Sequence, residues 1–564
     1  MDVIEKNNKK NIICNDLYLF FFIISFTFYN VIAILAFILL ALPKNWLGGM
    51  DGYFYGLMIK SYLHTFKFTS LDMESPLLYS PYLFYLLGMI GRITHISDLG
   101  QLQIIGFILA LGSFPLIIYF FLRPYMSPLR VLISIFVIFL FSLNSSAYET
   151  VWQKSHEILG ILSIPAIFVY IQNISNEKFT NKRHRIISGL LAGFLFGVYP
   201  AFEILAIISA GIIILGIFIF NNRESIKRKF KYIIDPYFVI PCILFSFPYI
   251  IYTFYIFFSN KKEVGFVSTV MESELRFNFL HLNYLSIPYF LTISLLPYFI
   301  WKSISEKSNN IINMFFIMIV LLGFLFYSFS VIGYYNKIYI TAPFKFYFPI
   351  SIIGGLMIAY LPFNQKIYEM INIKTSYKFK VFFIGFLSFF LSTFLFYKIY
   401  NLKELKNGIY LSEARNKNLN ELIKFIEKVK KNKPLNHYIA SGEARFLDYY
   451  VKGIFVNRIM FNESYASSYE DIDGRAERLK ESILKGENYF YNDLKTLKID
   501  VLILGDKKND SYNIDYIHIT PGKFYDKYGT EKRLNIPYFF LVKMVEDKYL
   551  NYKKLNNFDV YFVN

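Results

Sequence analysis

Apolar positions in this chain gather into long runs divided by short polar stretches. The runs cover roughly 17–42, 77–92, 100–122, 129–143, 157–173, 187–199, 201–220, 232–258, 284–301, 310–333, 345–362 and 379–400. Most approach the length an apolar helix needs to cross a bilayer, so they predict membrane helices. Beyond residue 400 the pattern changes. "NLNELIKFIEKVKK" and "GRAERLKESILKG" place apolar residues at helical spacing, whereas "HYIASG", "IDVLILGD" and "YFFLVKMV" predict strands. The pattern therefore predicts a polytopic α-helical membrane part, residues 1–400, followed by a soluble α/β domain, residues 401–564.

Charge assigns sides to the runs. Basic clusters stand at Lys6/Lys9/Lys10, Arg123/Arg130, Lys178/Lys182/Arg183/Arg185, Arg223 to Lys231, Lys302/Lys307 and Lys366 to Lys380. All can be cytoplasmic, as the positive-inside rule asks, only if one run before residue 123 does not cross. The run 77–92, "LLYSPYLFYLLGMIGR", is the least hydrophobic, is short for a bilayer core and is broken by Ser80, Pro81 and two glycines. It is expected to lie in the interface or re-enter, as is the amphipathic stretch from Asp51. About eleven crossings remain, with the N-terminus cytoplasmic and the C-terminal domain extracytoplasmic. The pair 187–220, joined at Tyr199-Pro200, could also be one broken helix.

Composition agrees with a bilayer setting: 55% of the 564 residues are hydrophobic and 18% are charged. In such a chain the net charge of +18 reflects orientation and anionic lipid, not nucleic acid. Only Cys14 and Cys242 are present, neither beside a polar partner, which excludes a disulfide framework. The N-terminal run is too long for a signal peptide and is expected to stay as the first membrane helix.

Candidate chemistry gathers on the outer loops. "DGYFYGLMIKSYLH" begins with Asp51 and repeats Gly52, Gly56, Lys60 and His64 every four residues, a small and polar ridge on an otherwise apolar helix. An aspartate after two glycines is also an ordinary N-cap. Asp72 and Glu74 follow in the same loop, where the helix dipole gives them a bland reading. In the second loop, "NSSAYETVWQKSHEI", Trp152 suits stacking on a sugar and His156 a polar contact. Glu149, His156 and Glu157 leave a divalent metal open, although no metal spacing is matched and no cofactor is firmly implied. Arg276 lies in a charged third loop. Lys337 and Lys345 sit among aromatic residues on the side the positive-inside rule disfavours; they either snorkel or meet a phosphate headgroup.

A first helix, an outer loop opening with Asp51, the "SPLLYSPY" segment, many further crossings and a soluble outer domain together resemble the GT-C glycosyltransferases. "HRIISGLLAGFLFGVYPAFEILAI" is similar to the paired short helices of such enzymes. Within "VNRIMFNESYASSYEDIDGRAERLKESI", residues Asn462, Tyr465, Ala466, Arg475 and Arg478 resemble the C-terminal domain of galactan arabinofuranosyltransferases of the AftA type. The resemblance implies a plasma- or inner-membrane enzyme that moves a sugar, arabinofuranose in the AftA case, from a polyprenyl-phosphate donor to an extracytoplasmic cell-envelope glycan. It also implies that Asp51 is the catalytic base.

That assignment fits the chemistry. A sugar hydroxyl needs a carboxylate to take its proton, worth roughly 10²–10⁴-fold. The phosphate leaves as a stable anion and needs only cations, for which Lys337, Lys345 and Arg276 are candidates. Asp72, Glu74, Trp152 and His156 are the candidate substrate contacts. A lipid-linked glycan flippase is a rival and would bury charge mid-helix, where Glu203 is the main example. A polymerase or ligase of the O-antigen type is another, and would be expected to carry arginines in a large outer loop.

Overall fold

The computed structural model describes residues 23–24, 49–64, 82–143, 155–176, 181–220, 230, 233–259, 287–305, 310–335, 347–361, 403–458, 472–505, 507–518 and 530–564. The expected first and last membrane runs lie almost entirely outside these residues.

The first part, up to Ala359, is helical apart from short turns in its described length. Helix α1 spans Gly49–His64, α2 Tyr82–Thr94, α3 Leu99–Leu122 and α4 Pro128–Leu143. Then come α5 Ser155–Ile161, α6 Ser163–Asn176, α7 Lys182–Val198 and α8 Pro200–Phe220. Helices α9 Pro236–Ser259, α10 Ile287–Ser305, α11 Asn310–Tyr335 and α12 Tyr347–Ala359 complete it. Among the described residues, three stretches are long and apolar enough to cross a membrane: Leu99–Leu122, Ser155–Ser175 and Pro236–Phe254. The run expected not to cross forms α2, whose 13 residues extend about 20 Å, short of a roughly 30 Å hydrocarbon core.

Local chemistry explains the boundaries. Asp98 caps α3, its carboxylate accepting from the Gln101 amide at 3.0 Å. The pair expected over 187–220 is two helices, α7 and α8, parted at Tyr199-Pro200. Tyr199 leaves helical geometry, and Pro200 has no N–H to bond the carbonyl one turn back. Helices α7 and α9 meet backbone to backbone: a Cβ added at Gly189 or Gly193 would overlap the carbonyl of Phe238 or Cys242. This four-residue glycine spacing is how apolar helices pack closely without a hydrophobic drive between them. A buried ion pair, Arg185 Nη1 to Asp235 Oδ1 at 2.7 Å, joins the starts of the same two helices.

The second part is α/β. Long helix α13, Lys403–Asn432, leads into β1, His437–Ala440, then a 3₁₀ turn at Gly442–Phe446 and the short helix α14, Leu447–Tyr450. Strand β2 is Val456–Asn457; α15 (Ile472–Lys485) and α16 (Glu487–Thr496) precede β3, Val501–Gly505. Strands β4 (Ser511–His518) and β5 (Thr530–Pro537) form a separate antiparallel pair. Helix α17 (Tyr538–Glu546), β6 (Leu550–Leu555) and β7 (Phe558–Val563) finish the chain. The five-stranded sheet runs β2-β1-β3-β7-β6, its first three strands parallel and the others antiparallel. One face packs on α13 through Leu422 and Ile426; the other packs on α15 to α17 through Leu479, Phe490 and Leu541.

One strand expectation is corrected. "YFFLVKMV" is helix α17, burying Phe540, Leu541 and Met544 on one side. A short apolar run carries no decisive period, and Pro537 immediately before it supplies a helix start that a strand interior would not tolerate.

Candidate functional site at helix α1

The site is organised by α1. Its helix begins at Gly49, two residues before Asp51, so position 51 lies inside the first turn and not at the N-cap. The N-cap reading of Asp51 is thereby lost, while a favourable dipole location remains. Position 51 stands one turn before Tyr55, on the row of α1 that continues to Met58 and Tyr62. Tyr55, Met58 and Tyr62 on that row are buried against neighbouring helices.

Tyr55 meets His156 edge-on with ring centroids 4.6 Å apart, and stacks on Phe84 at 5.4 Å. His156 is fully buried, with Phe84 at 5.4 Å and Tyr199 at 5.5 Å completing an aromatic box. Four elements therefore converge: α1, α2, α5 and the α7–α8 break. Each such ring pair contributes about 0.5–1.5 kcal/mol beyond the area buried. His156 was expected on an outer loop in contact with substrate. It lies instead in the first turn of α5, in a protein interior, and holds the row that begins at position 51. Its neighbour Glu157 is 3% exposed, with Oε2 lacking a hydrogen-bond partner among the described residues.

The opposite ridge of α1 meets the α/β domain through Gly56 and Lys60. Lys60 is buried and donates from Nζ to the carbonyl oxygens of Asp448 and of Val451, the latter at 2.6 Å. A Cβ on Gly56 would strike the Tyr449 ring, and the Tyr449 hydroxyl donates to Gln103 Oε1 of α3 at 3.3 Å. From within the soluble domain Lys430 Nζ donates to the carbonyls of Lys452, at 3.0 Å, and Ile454, at 2.6 Å. Two ammonium groups thus grip one loop. Burial pushes Lys60 down to about 7, opposed by Asp448, with Lys430 adding to the depression. Burial likewise lowers Lys430 to about 8, against the pull of Glu427.

The sequence had marked this ridge by its four-residue spacing but gave no hint of its partner. The aromatic box was not foreseen; Tyr199 next to Pro200 was its one local signal. Asp72, Glu74, Trp152, Arg276, Lys337 and Lys345 lie outside the described residues. Of the segment likened to arabinofuranosyltransferases, Asn462, Tyr465 and Ala466 also lie outside. Arg478 pairs with Asp493 at 2.5 Å, and Arg475 donates to the Arg458 carbonyl at 3.5 Å. Among the described residues no group of three or more His, Cys, Asp or Glu side chains could hold a metal ion.

No protein-family model and no curated protein matches this sequence. Among solved structures, the chain is similar to the Archaeoglobus fulgidus oligosaccharyltransferase in its apo form, with 12% identity and a TM-score of 0.46 over 86% of this chain and 69% of that one. It is similar also to that enzyme tethered to an acceptor peptide, with 12% identity and a TM-score of 0.45 over 85% and 69%. The same organism's oligosaccharyltransferase AglB, in complex with an inhibitory peptide and a dolichol-phosphate, gives 13% identity and a TM-score of 0.44 over 84% and 68%.

Proposed function

We propose that this chain is a membrane glycosyltransferase that moves a sugar from a polyprenyl-phosphate donor to a glycan acceptor outside the membrane, with Asp51 as general base. The observation that carries the reading is the placement of position 51. It opens a helix row fixed by the His156 box, while the opposite ridge of the same helix is clasped by the soluble domain. In this reading a carboxylate at position 51 would serve an acceptor held by the α/β domain and a donor held in the bilayer. The base takes the acceptor hydroxyl proton as the oxygen attacks the anomeric carbon, and the bond to phosphate breaks to release the polyprenyl phosphate. Attack opposite the phosphate inverts the anomeric centre.

Lys337, Lys345 and Arg276 are the proposed cations for the departing phosphate, and Asp72, Glu74 and Trp152 the proposed sugar contacts. Arabinofuranose as the sugar rests on the resemblance of residues 456–483 alone. The soluble domain is placed outside and the N-terminus in the cytoplasm on charge distribution.

Glu203 favours a second reading. It is fully buried in α8, and neither carboxyl oxygen has a hydrogen-bond partner among the described residues. Intramembrane carboxyls of this kind mark transport pathways as well as catalytic sites. Purified protein in vesicles, supplied with labelled polyprenyl-phosphate pentose and a glycan acceptor, separates the two. Release of polyprenyl phosphate with label on the acceptor supports transfer. Intact donor moved across the bilayer would make the chain a transporter.

A further inference from the structure

Helices α7 and α9 run side by side in the same direction. The close approaches of Gly189 to Phe238 and of Gly193 to Cys242 advance together along both helices. Their amino ends are therefore neighbours, joined by the Arg185–Asp235 pair. The carboxyl end of α7 leads to the α1 site, because Tyr199 packs on His156 and Gly197 on Tyr82. At 1.5 Å per residue, the 17 residues of α7 put its amino end about 25 Å from that site. In a chain that crosses a bilayer, this is the opposite membrane surface.

Charge at these amino ends is unbalanced. Lys182, Arg183 and Arg185 all stand in the first turn of α7, where the helix dipole disfavours cations. Asp235 is the one carboxylate among the described residues of α7, α9 and the turn before α9. It is buried and already engaged, by Arg185 at 2.7 Å and by the Tyr237 amide at 3.1 Å. Lys182 and Arg183 are exposed and have no carboxylate partner among the described residues. The Lys182 ammonium lies 4.6 Å from the centre of the Tyr237 ring, and the Arg185 guanidinium 4.7 Å from the same centre. A ring holds a cation in place without neutralising it.

Tyr237 also begins an apolar track. Tyr237, Ile240, Leu244, Phe247, Ile251 and Phe254 recur every three or four residues and so form one row along α9. All six are exposed, from 37% at Tyr237 to 63% at Leu244, on a helix long and apolar enough to cross a membrane. On α7 the exposed Ile187 follows Arg183 by one turn. Unpaired cations and exposed apolar side chains thus meet within one turn, which is the arrangement of a headgroup boundary.

We propose that this surface binds an anionic phospholipid: Lys182 and Arg183 take the headgroup phosphate, and an acyl chain lies along the Tyr237–Phe254 row. Charge complementarity chooses the occupant. A zwitterionic lipid brings a further cation to a place that already holds three, and an apolar protein segment leaves Lys182 and Arg183 unanswered. The proposal rests on the chain's crossing a bilayer and not on the reaction proposed for it. The lipid sits on the far surface from position 51, so it anchors the α7–α9 pair and takes no part in transfer.

The test places the photoreactive residue benzoylphenylalanine at position 240, 244 or 254 of the full chain. Each protein is reconstituted in equimolar phosphatidylcholine and phosphatidylglycerol with identical acyl chains. Positions 240 and 244 lie towards the cations, and either suffices; position 254, at the far end of the row, is the control. Irradiation joins the probe to an adjacent acyl chain, and mass spectrometry identifies the headgroup. Each cation is worth roughly fivefold in anionic-lipid occupancy. The expected result is phosphatidylglycerol adduct in about fivefold or greater excess at 240 or 244, with nearly equal adducts at 254. In the double variant Lys182→Gln/Arg183→Gln, the excess should fall to the ratio seen at 254. No sugar transfer is read, so the outcome is independent of the proposed reaction. An excess at 240 and 244 no larger than at 254 overturns the proposal, as does an excess that survives the double substitution. Absence of lipid adducts at 240 and 244 also overturns it, since protein would then cover the row.

Discussion

The two sides of α1 are built on different principles. One side, with Tyr55, Met58 and Tyr62, buries aromatic and apolar groups against the neighbouring helices and against His156. The other, Gly56 and Lys60, is small and charged and accepts the backbone of a distant domain. The first side is held by ring packing, which tolerates some change because each contact is one of several. The second depends on two features with no substitute: a missing side chain at 56 and an amino group at 60 that satisfies two buried carbonyls. A helix so placed transmits the position of the soluble domain to residue 51 without a hinge between them.

Substitutions on the docking side should show the larger structural effect. Gly56→Leu drives a side chain into Tyr449, an overpacking that costs about 1–3 kcal/mol. That raises the undocked population roughly 5- to 150-fold. Trypsin should then cut after Lys452 faster by a comparable factor, because the loop gripped by Lys60 and Lys430 is released. Unchanged cleavage would mean that α1 and α14 do not hold the domain.

Lys60→Met should act next, and differently with pH. The docked ammonium has its value lowered from 10.5 to about 7. Between those values an undocked chain holds a proton that the docked chain lacks, so docking strengthens as pH rises from about 7 towards 10.5. Below about 7 the whole cost of burying the charge is present. Thermal unfolding of the wild type should shift upwards between pH 7 and pH 9.5. In Lys60→Met that upward shift should shrink, leaving the smaller slope due to Lys430; an equal slope in both proteins would remove Lys60 from the interface.

On the other side, Tyr55→Leu loses the stack on Phe84 and the edge contact to His156, worth about 0.5–1.5 kcal/mol each. Transfer should weaken through disorder of the row at position 51, while cleavage after Lys452 stays at the wild-type rate. Faster cleavage would show that the two sides are not separate.

Local pattern made much of the fold legible. Helices over 100–122 and 129–143, the strands at 437–440 and 501–505, and the break at Tyr199-Pro200 all follow from period and proline chemistry. Legibility ended where distance in sequence began. The ridge Gly52-Gly56-Lys60-His64 was visible as spacing, but Tyr449 and Val451 stand nearly four hundred residues away, and no local rule names them. His156 read as a loop histidine because the polar residues before it hide the start of α5; only three rings from separate elements reveal its burial. The strand reading of α17 failed because a short, almost wholly apolar stretch fits either period.

The central claim is that Asp51 is a base on a helix already positioned by its two faces. Position 51 lies within the first turn of α1, so Asp51→Asn keeps the side chain's size and removes its basicity. The decisive measurement is single-turnover transfer by Asp51→Asn from prebound polyprenyl-phosphate pentose, made on protein whose cleavage after Lys452 matches the wild type. The account predicts that the donor stays bound while transfer falls by roughly 10²-fold or more. Transfer at close to the wild-type rate would contradict it, and would move the base to Asp72 or Glu74.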